Sequence, residues 1–157
     1  MSEKDYEILR QQVMALAEEN ACFIPLMSNV SALVMESMKD LNWAGFYLTT
    51  GSEELVLGPF QGKVACIRIK KGHGVCGTAY EKDQQVLVKN VHDFPGHIAC
   101  DAASLSEVVT PIHNASGLVR AVLDIDSPME ARFTETDAAG LQKVCDTLSQ
   151  MIRWEVE

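Results

Sequence analysis

Residues 107–112, EVVTPI, and 118–125, LVRAVLDI, read as two apolar strands, with HNASG (113–117) as the turn between them. The β-branched residues favour a pleated, buried surface, and Asn114 and Gly117 suit a tight reversal. Strands joined by so short a link must run antiparallel. Upstream, WAGFYLT (43–49) and ELVLGPF (54–60) form a second expected hairpin around Thr50, Gly51, Ser52 and Glu53. Residues 64–70, VACIRIK, alternate and predict a third strand of that group, and VLVKN (86–90) predicts a brief one. A short helix is expected from about Val75, among Gly72, Gly74 and Gly77, and a long loop from Val91 to Leu105.

Apolar residues at helical spacing predict amphipathic helices over 3–20 (Ile8, Leu9, Val13, Leu16, Ala17) and 24–40. A third, over 135–153, opens with a capping-box-like pair, Thr134 and Asp137. The order predicts a single α+β domain spanning 1–157, a largely antiparallel central sheet of about six strands with helices packed on it.

Composition narrows the function. The 22 acidic and 13 basic residues give a formal charge of −9, which disfavours nucleic acid and anionic membrane surfaces as partners. The N-terminus, MSEKDYEILRQQ, lacks a secretory core, and no apolar run is long enough to span a bilayer. A cytoplasmic location is therefore expected. The five cysteines are an odd number, and in a reducing compartment catalytic, redox or metal-binding roles outrank a permanent framework.

Three of those cysteines, Cys66, Cys76 and Cys100, sit beside glycines or other turn residues, where thiols are reachable. His97, three residues before Cys100, could lower that thiol's pKa as an imidazolium, while Asp101 would oppose it. Cys76, at the expected start of the short helix, is placed where the helix dipole favours a thiolate. Cys66 ends a strand-like run and could equally be an ordinary core thiol. Cys22 and Cys145 have apolar neighbours and read as core residues. Zinc ligation by the trio with His97 is disfavoured, because nine and twenty-three residues separate the cysteines and no CxxC pair occurs.

Asp124 and Asp126 share one face of their strand by period-two alternation, and Glu107 opens the strand before it. On a water-facing strand end they would be unremarkable; on a core face they would need a cationic ligand or a proton. Carboxylates held close raise one pKa and create a general acid near neutrality. Trp43, beside Ala44 and Gly45, could line a pocket for a methyl or thioether group or simply fill the core.

Taken together, NWAGFYL (42–48), LGPFQGKVAC (57–66), IKKGHGVCGTA (69–79), FPGHIACD (94–101), SEVVTPI (106–112) and VLDIDSP (122–128) resemble the free methionine-(R)-sulfoxide reductases, which are GAF-domain proteins. The resemblance runs in order from about Asn42 to Pro128. It implies a GAF-like fold and thiol-dependent reduction of free methionine-(R)-sulfoxide through a cysteine sulfenic acid and a disulfide. Cys100 matches the nucleophile, Cys66 the usual recycling cysteine, and Cys76 a third cysteine that can also pair with the nucleophile. Trp43, Glu107, Asp124 and Asp126 match the substrate pocket. Thioredoxin as electron donor, often a homodimer, and no metal or organic cofactor are further implications. The rival readings are a GAF-type sensor of a small molecule or of redox state, with no output module in the 157 residues, and a zinc-stabilised structural domain.

Overall fold

The computed structural model describes residues 1–97 and 102–156. Helices α1 (Glu3–Glu19) and α2 (Phe23–Ser37) precede strands β1 (Trp43–Thr49), β2 (Glu54–Gly62) and β3 (Arg68–Lys70). Helix α3 (Gly74–Lys82), β4 (Val86–Val88), β5 (Ser106–His113), β6 (Val119–Ser127) and α4 (Glu135–Met151) follow. The strands form one sheet in the order β3-β2-β1-β6-β5-β4, and every neighbouring pair is antiparallel. The α+β architecture is as expected, and both predicted hairpins form, so the first and last strands of the chain meet at the centre.

Caps set the helix ends. Ser2 with Asp5, and Thr134 with Asp137, make reciprocal capping boxes that satisfy the first free N–H groups of α1 and α4. Pro25 lies in the first turn of α2, where its missing N–H costs nothing. That helix stops at Ser37, short of the expected residue 40: Met38 is extended and Asp40 has φ 61°. On α1 the inward stripe is Tyr6, Leu9, Val13 and Ala17, and the exposed Ile8 is not part of it.

Two other expectations are corrected. Strand β3 covers only Arg68–Lys70 rather than 64–70. The carbonyls of Lys63 and Cys66 accept instead from side chains, Trp43 Nε1 at 3.1 Å and Tyr47 Oη at 2.9 Å, so the chain pairs with β2 in regular register only from Arg68 onward. Strand β4 ends at Val88 because Asn90 turns to cap a 3₁₀ turn, its side chain accepting from His92 N at 2.9 Å.

Both faces of the central strands are covered. Ala44, Phe46, Leu123 and Ile125 point to the layer formed by α1, α2 and α4, while Trp43, Tyr47 and Val122 point the other way, with Val75, Cys76 and Ala79 of α3. Alternation along β6 thus sends Leu123 and Ile125 into one core and Asp124 and Asp126 towards α3. Among the described residues no helix is long and apolar enough to cross a membrane.

Helices α1 and α4 approach closely because Gly140 has no side chain: a Cβ there would overlap the Tyr6 ring. Gly→Ala inside a helix ordinarily stabilises by about 1 kcal/mol. Here the sign should invert. Gly140→Ala is expected to cost about 1–3 kcal/mol through overpacking, measured as a lowered midpoint in urea unfolding. An unchanged or raised midpoint would contradict this packing.

Candidate active site

The site is built as a row across three strands. Trp43 on β1 is paired with Asp126 on β6, and Asp126 with Glu107 on β5. Directly opposed residues project from the same face, so an indole and two carboxyls stand side by side. In the next row on that face Asp124 lies between Gly45 and Val109. The first turn of α3 sets Cys76 above these acids. A Cβ on Gly77 would collide with the Lys70 carbonyl, so the glycine permits this close seat.

The resulting pocket is lined by Trp43, Tyr47, Cys76, Glu107, Asp124 and Asp126, with Val64, Ala65, His73, His97 and Ser104 among their neighbours. The acids face α3 and not open water: Glu107 is 7 % exposed and Asp124 6 %. Trp43 stacks on Phe60 at 5.1 Å and on Tyr47 at 5.9 Å between ring centroids, which fixes the aromatic wall.

Burial dominates the electrostatics. It pushes the Glu107 carboxyl above its ordinary range, against hydrogen bonds from Asp124 and Asp126. It pushes Asp124 well above that range, and repulsion from Asp126 and Glu107 adds to it. Asp124 Oδ1 finds no hydrogen-bond partner among the described residues. Cys76 differs from the expectation of a helix-start thiolate. Its thiol is buried and is pushed well above the ordinary range by desolvation first, then by Asp124, Glu107 and Asp126. It stays protonated and donates to Glu107 Oε1 at 4.0 Å. Desolvation, with the three carboxyls adding to it, outweighs a half-charge from one helix end.

Nor is His97 the expected cation. Burial, then His92, lowers its pKa, which favours the neutral imidazole. Its Nε2 lies 4.0 Å from Glu107 Oε2, so the loop carrying it reaches over that acid. Cys100, the expected nucleophile, lies outside the described residues, as does Asp101. Cys66 is half-buried and disulfide-bonded, so its sulfur is not offered as a thiolate ligand in the zinc arrangement considered above. Cys76 Sγ and one carboxylate oxygen each of Glu107 and Asp124 lie within 4.8 Å of one another. Cys22 and Cys145 are free and buried, as expected of core thiols.

Sequence reasoning missed Tyr47, His73 and Ser104. Tyr47 carries a readable signal: it falls on the face of Trp43 by alternation along β1. Ser104 has none; it is placed by Asn42 Nδ2, which donates to its Oγ at 2.9 Å.

A model of the GAF domain matches residues 26–153, a span that contains every residue of the site. The free methionine-R-sulfoxide reductase of Escherichia coli is 46% identical over 147 residues, covering 94% of this chain and 88% of that one. The chain belongs to this family of GAF-domain reductases. Two solved relatives hold substrate. The fRMsr of Staphylococcus aureus in complex with substrate superposes with a TM-score of 0.87 at 41% identity, covering 94% of this chain and 95% of that one. The free methionine-R-sulfoxide reductase of Neisseria meningitidis in complex with its substrate does so at 0.90 and 38%, covering 96% and 91%.

Proposed function

We propose that this chain reduces free methionine-(R)-sulfoxide to methionine, with Cys100 as nucleophile and Cys66 as recycling cysteine. The observation that carries the reading is the row Trp43–Asp126–Glu107 with Asp124 beside it, in which Trp43, Glu107 and Asp124 are buried and Asp126 is half-buried. A sulfoxide is a poor electrophile until its oxygen accepts a proton or a strong hydrogen bond. A carboxyl kept neutral by burial supplies that at neutral pH.

Glu107 lies under the loop that leads to Cys100 and takes the proton-donor role. Asp124 and Asp126 pair with the substrate ammonium, and the Trp43 wall packs against its methylthio end. The Cys100 thiolate attacks the sulfoxide sulfur as Glu107 protonates the oxygen. The adduct has a new bond between the Cys100 and substrate sulfurs; the hydroxyl then passes from the substrate sulfur to Cys100 as that S–S bond breaks, so methionine leaves and Cys100 becomes a sulfenic acid. The Cys66 thiol displaces it as water, forming the disulfide. Two thiols and one sulfoxide become one disulfide, one thioether and one water. The disulfide engagement of Cys66 supports its role over that of Cys76, whose thiol is buried, free and protonated. A residue inside a peptide lacks the ammonium and would leave buried acids unpaired, which costs more than a lost contact.

The test is NADPH consumption coupled through thioredoxin, with each epimer of the free sulfoxide and with a sulfoxide-containing peptide. Turnover of the free R epimer alone is expected. No turnover of that epimer, or equal turnover of the peptide, overturns the reading.

A further inference from the structure

Residues 61–71, QGKVACIRIKK, carry four cations and no acid on a chain whose formal charge is −9. At their centre lies the disulfide-bonded Cys66. On either side of it Val64 is 89 % exposed and Ile67 67 %. Single exposed apolar side chains are ordinary, but two astride a redox sulfur inside a cationic rim are a patch with an address. Arg68 and Lys70 lie on the edge strand β3, where cations also discourage stray strand pairing. That does not account for Ile67 or Val64, which make the same edge more adhesive. Lys71 is held by Glu53 at 3.5 Å and Arg68 lies 3.9 Å from Glu54, whereas Lys63 and Lys70 project from exposed positions.

We propose that this face is the docking surface for a dithiol protein whose reactive cysteine sits in an apolar rim with acidic surroundings, and that Ile67 is its anchor. The inference rests on the reading above, in which an external dithiol resets the Cys66–Cys100 disulfide. Net charge alone would repel an acidic partner, and the local cationic rim supplies the complementary field. The segment is preorganised: the Cys66 carbonyl accepts from Tyr47 Oη at 2.9 Å and the Ile67 carbonyl from Leu57 N at 2.9 Å. The partner's thiolate attacks Cys66 Sγ, forming a mixed disulfide and releasing Cys100 as a thiolate that takes up a proton. The partner's second thiolate then attacks its own mixed-disulfide sulfur and releases Cys66. Two electrons pass to this chain, and the partner leaves as the disulfide.

The experiment compares turnover driven by thioredoxin with turnover driven by dithiothreitol, which needs no docking face. Ile67 is not among the pocket residues, so Ile67→Asp should leave the dithiothreitol rate unchanged and raise KM for thioredoxin about tenfold or more. Lys63→Glu should lower kcat/KM for thioredoxin and flatten its dependence on ionic strength. Thioredoxin lacking its second cysteine should be trapped as a mixed disulfide that peptide mapping places at Cys66. Equal rates of wild type and Ile67→Asp with both reductants would overturn the proposal. So would dissociation of a wild-type dimer by Ile67→Asp in gel filtration, which would give the face to a second copy. Wild-type protein inactive even with dithiothreitol would overturn the reaction itself and the docking role with it.

Discussion

Asp124→Asn should lower kcat/KM for the free sulfoxide by about 10²–10⁴-fold and at the same time make the unliganded protein harder to melt. The first effect follows from removing one partner of a desolvated charge pair, worth about 3–5 kcal/mol, and it should fall mainly on KM. The second follows from what Asp124 costs when nothing occupies the pocket. Burial, with Asp126 and Glu107 adding to it, raises the Asp124 pKa well above the ordinary carboxylate range. Between that range and the raised value the folded chain keeps a proton that the unfolded chain has lost. The unfolded state then binds fewer protons, so stability falls as pH rises through this window. Asparagine has no charge to bury. Its Tm should therefore exceed that of wild type and decline less with rising pH, with about 2–4 °C of shift for each kcal/mol at this chain length. Thermal melts of both proteins from pH 4 to pH 9, without and with substrate, check the pair of effects. A lower Tm for the variant, or identical pH slopes, would mean that Asp124 is not a destabilising proton-holder awaiting a cation. Glu107→Gln separates the roles: it should depress kcat by about 10²–10⁴-fold, the usual worth of a positioned general acid, with little change in KM.

The same acids mark how far a sequence carries. Alternation places Asp124 and Asp126 on one face, and the structure has them there, because period two is a property of the strand alone. It could not say which face, because that depends on which layers cover the sheet. Only the placement of α3 decides that the acids meet Cys76 and Trp43 rather than water. The Thr134–Asp137 capping box was legible for a similar reason: its partners lie within one turn. Misread features were those settled by distant partners. VACIRIK has strand-like alternation, yet Tyr47 donates to its Cys66 carbonyl from across the pocket, and Trp43 to the Lys63 carbonyl just before it. Cys76 sits at a helix start as expected, but its proton is governed by β5 and β6, which lie far along the chain.

Cys100→Ser should remove turnover with either reductant, by at least about 10³-fold, while Cys66→Ser should still release one methionine per chain. The contrast follows from what each sulfur has to do. At position 100 the attacking atom must be a good nucleophile towards sulfur, and a serine hydroxyl is a weak one without an adjacent base. At position 66 the thiol acts only after methionine has left, so its loss strands the enzyme as a sulfenic acid that dimedone can label at Cys100. Cys76→Ser should keep repeated turnover, because a thiol held protonated by burial first and by three carboxyls second is a poor attacker of that sulfenic acid. Rapid-quench counting of methionine, with peptide mapping of the dimedone adduct, reads all three variants. If Cys76→Ser stops at one methionine and Cys66→Ser does not, the two exchange roles. Repeated turnover by Cys100→Ser would remove sulfur attack at this position from the mechanism altogether.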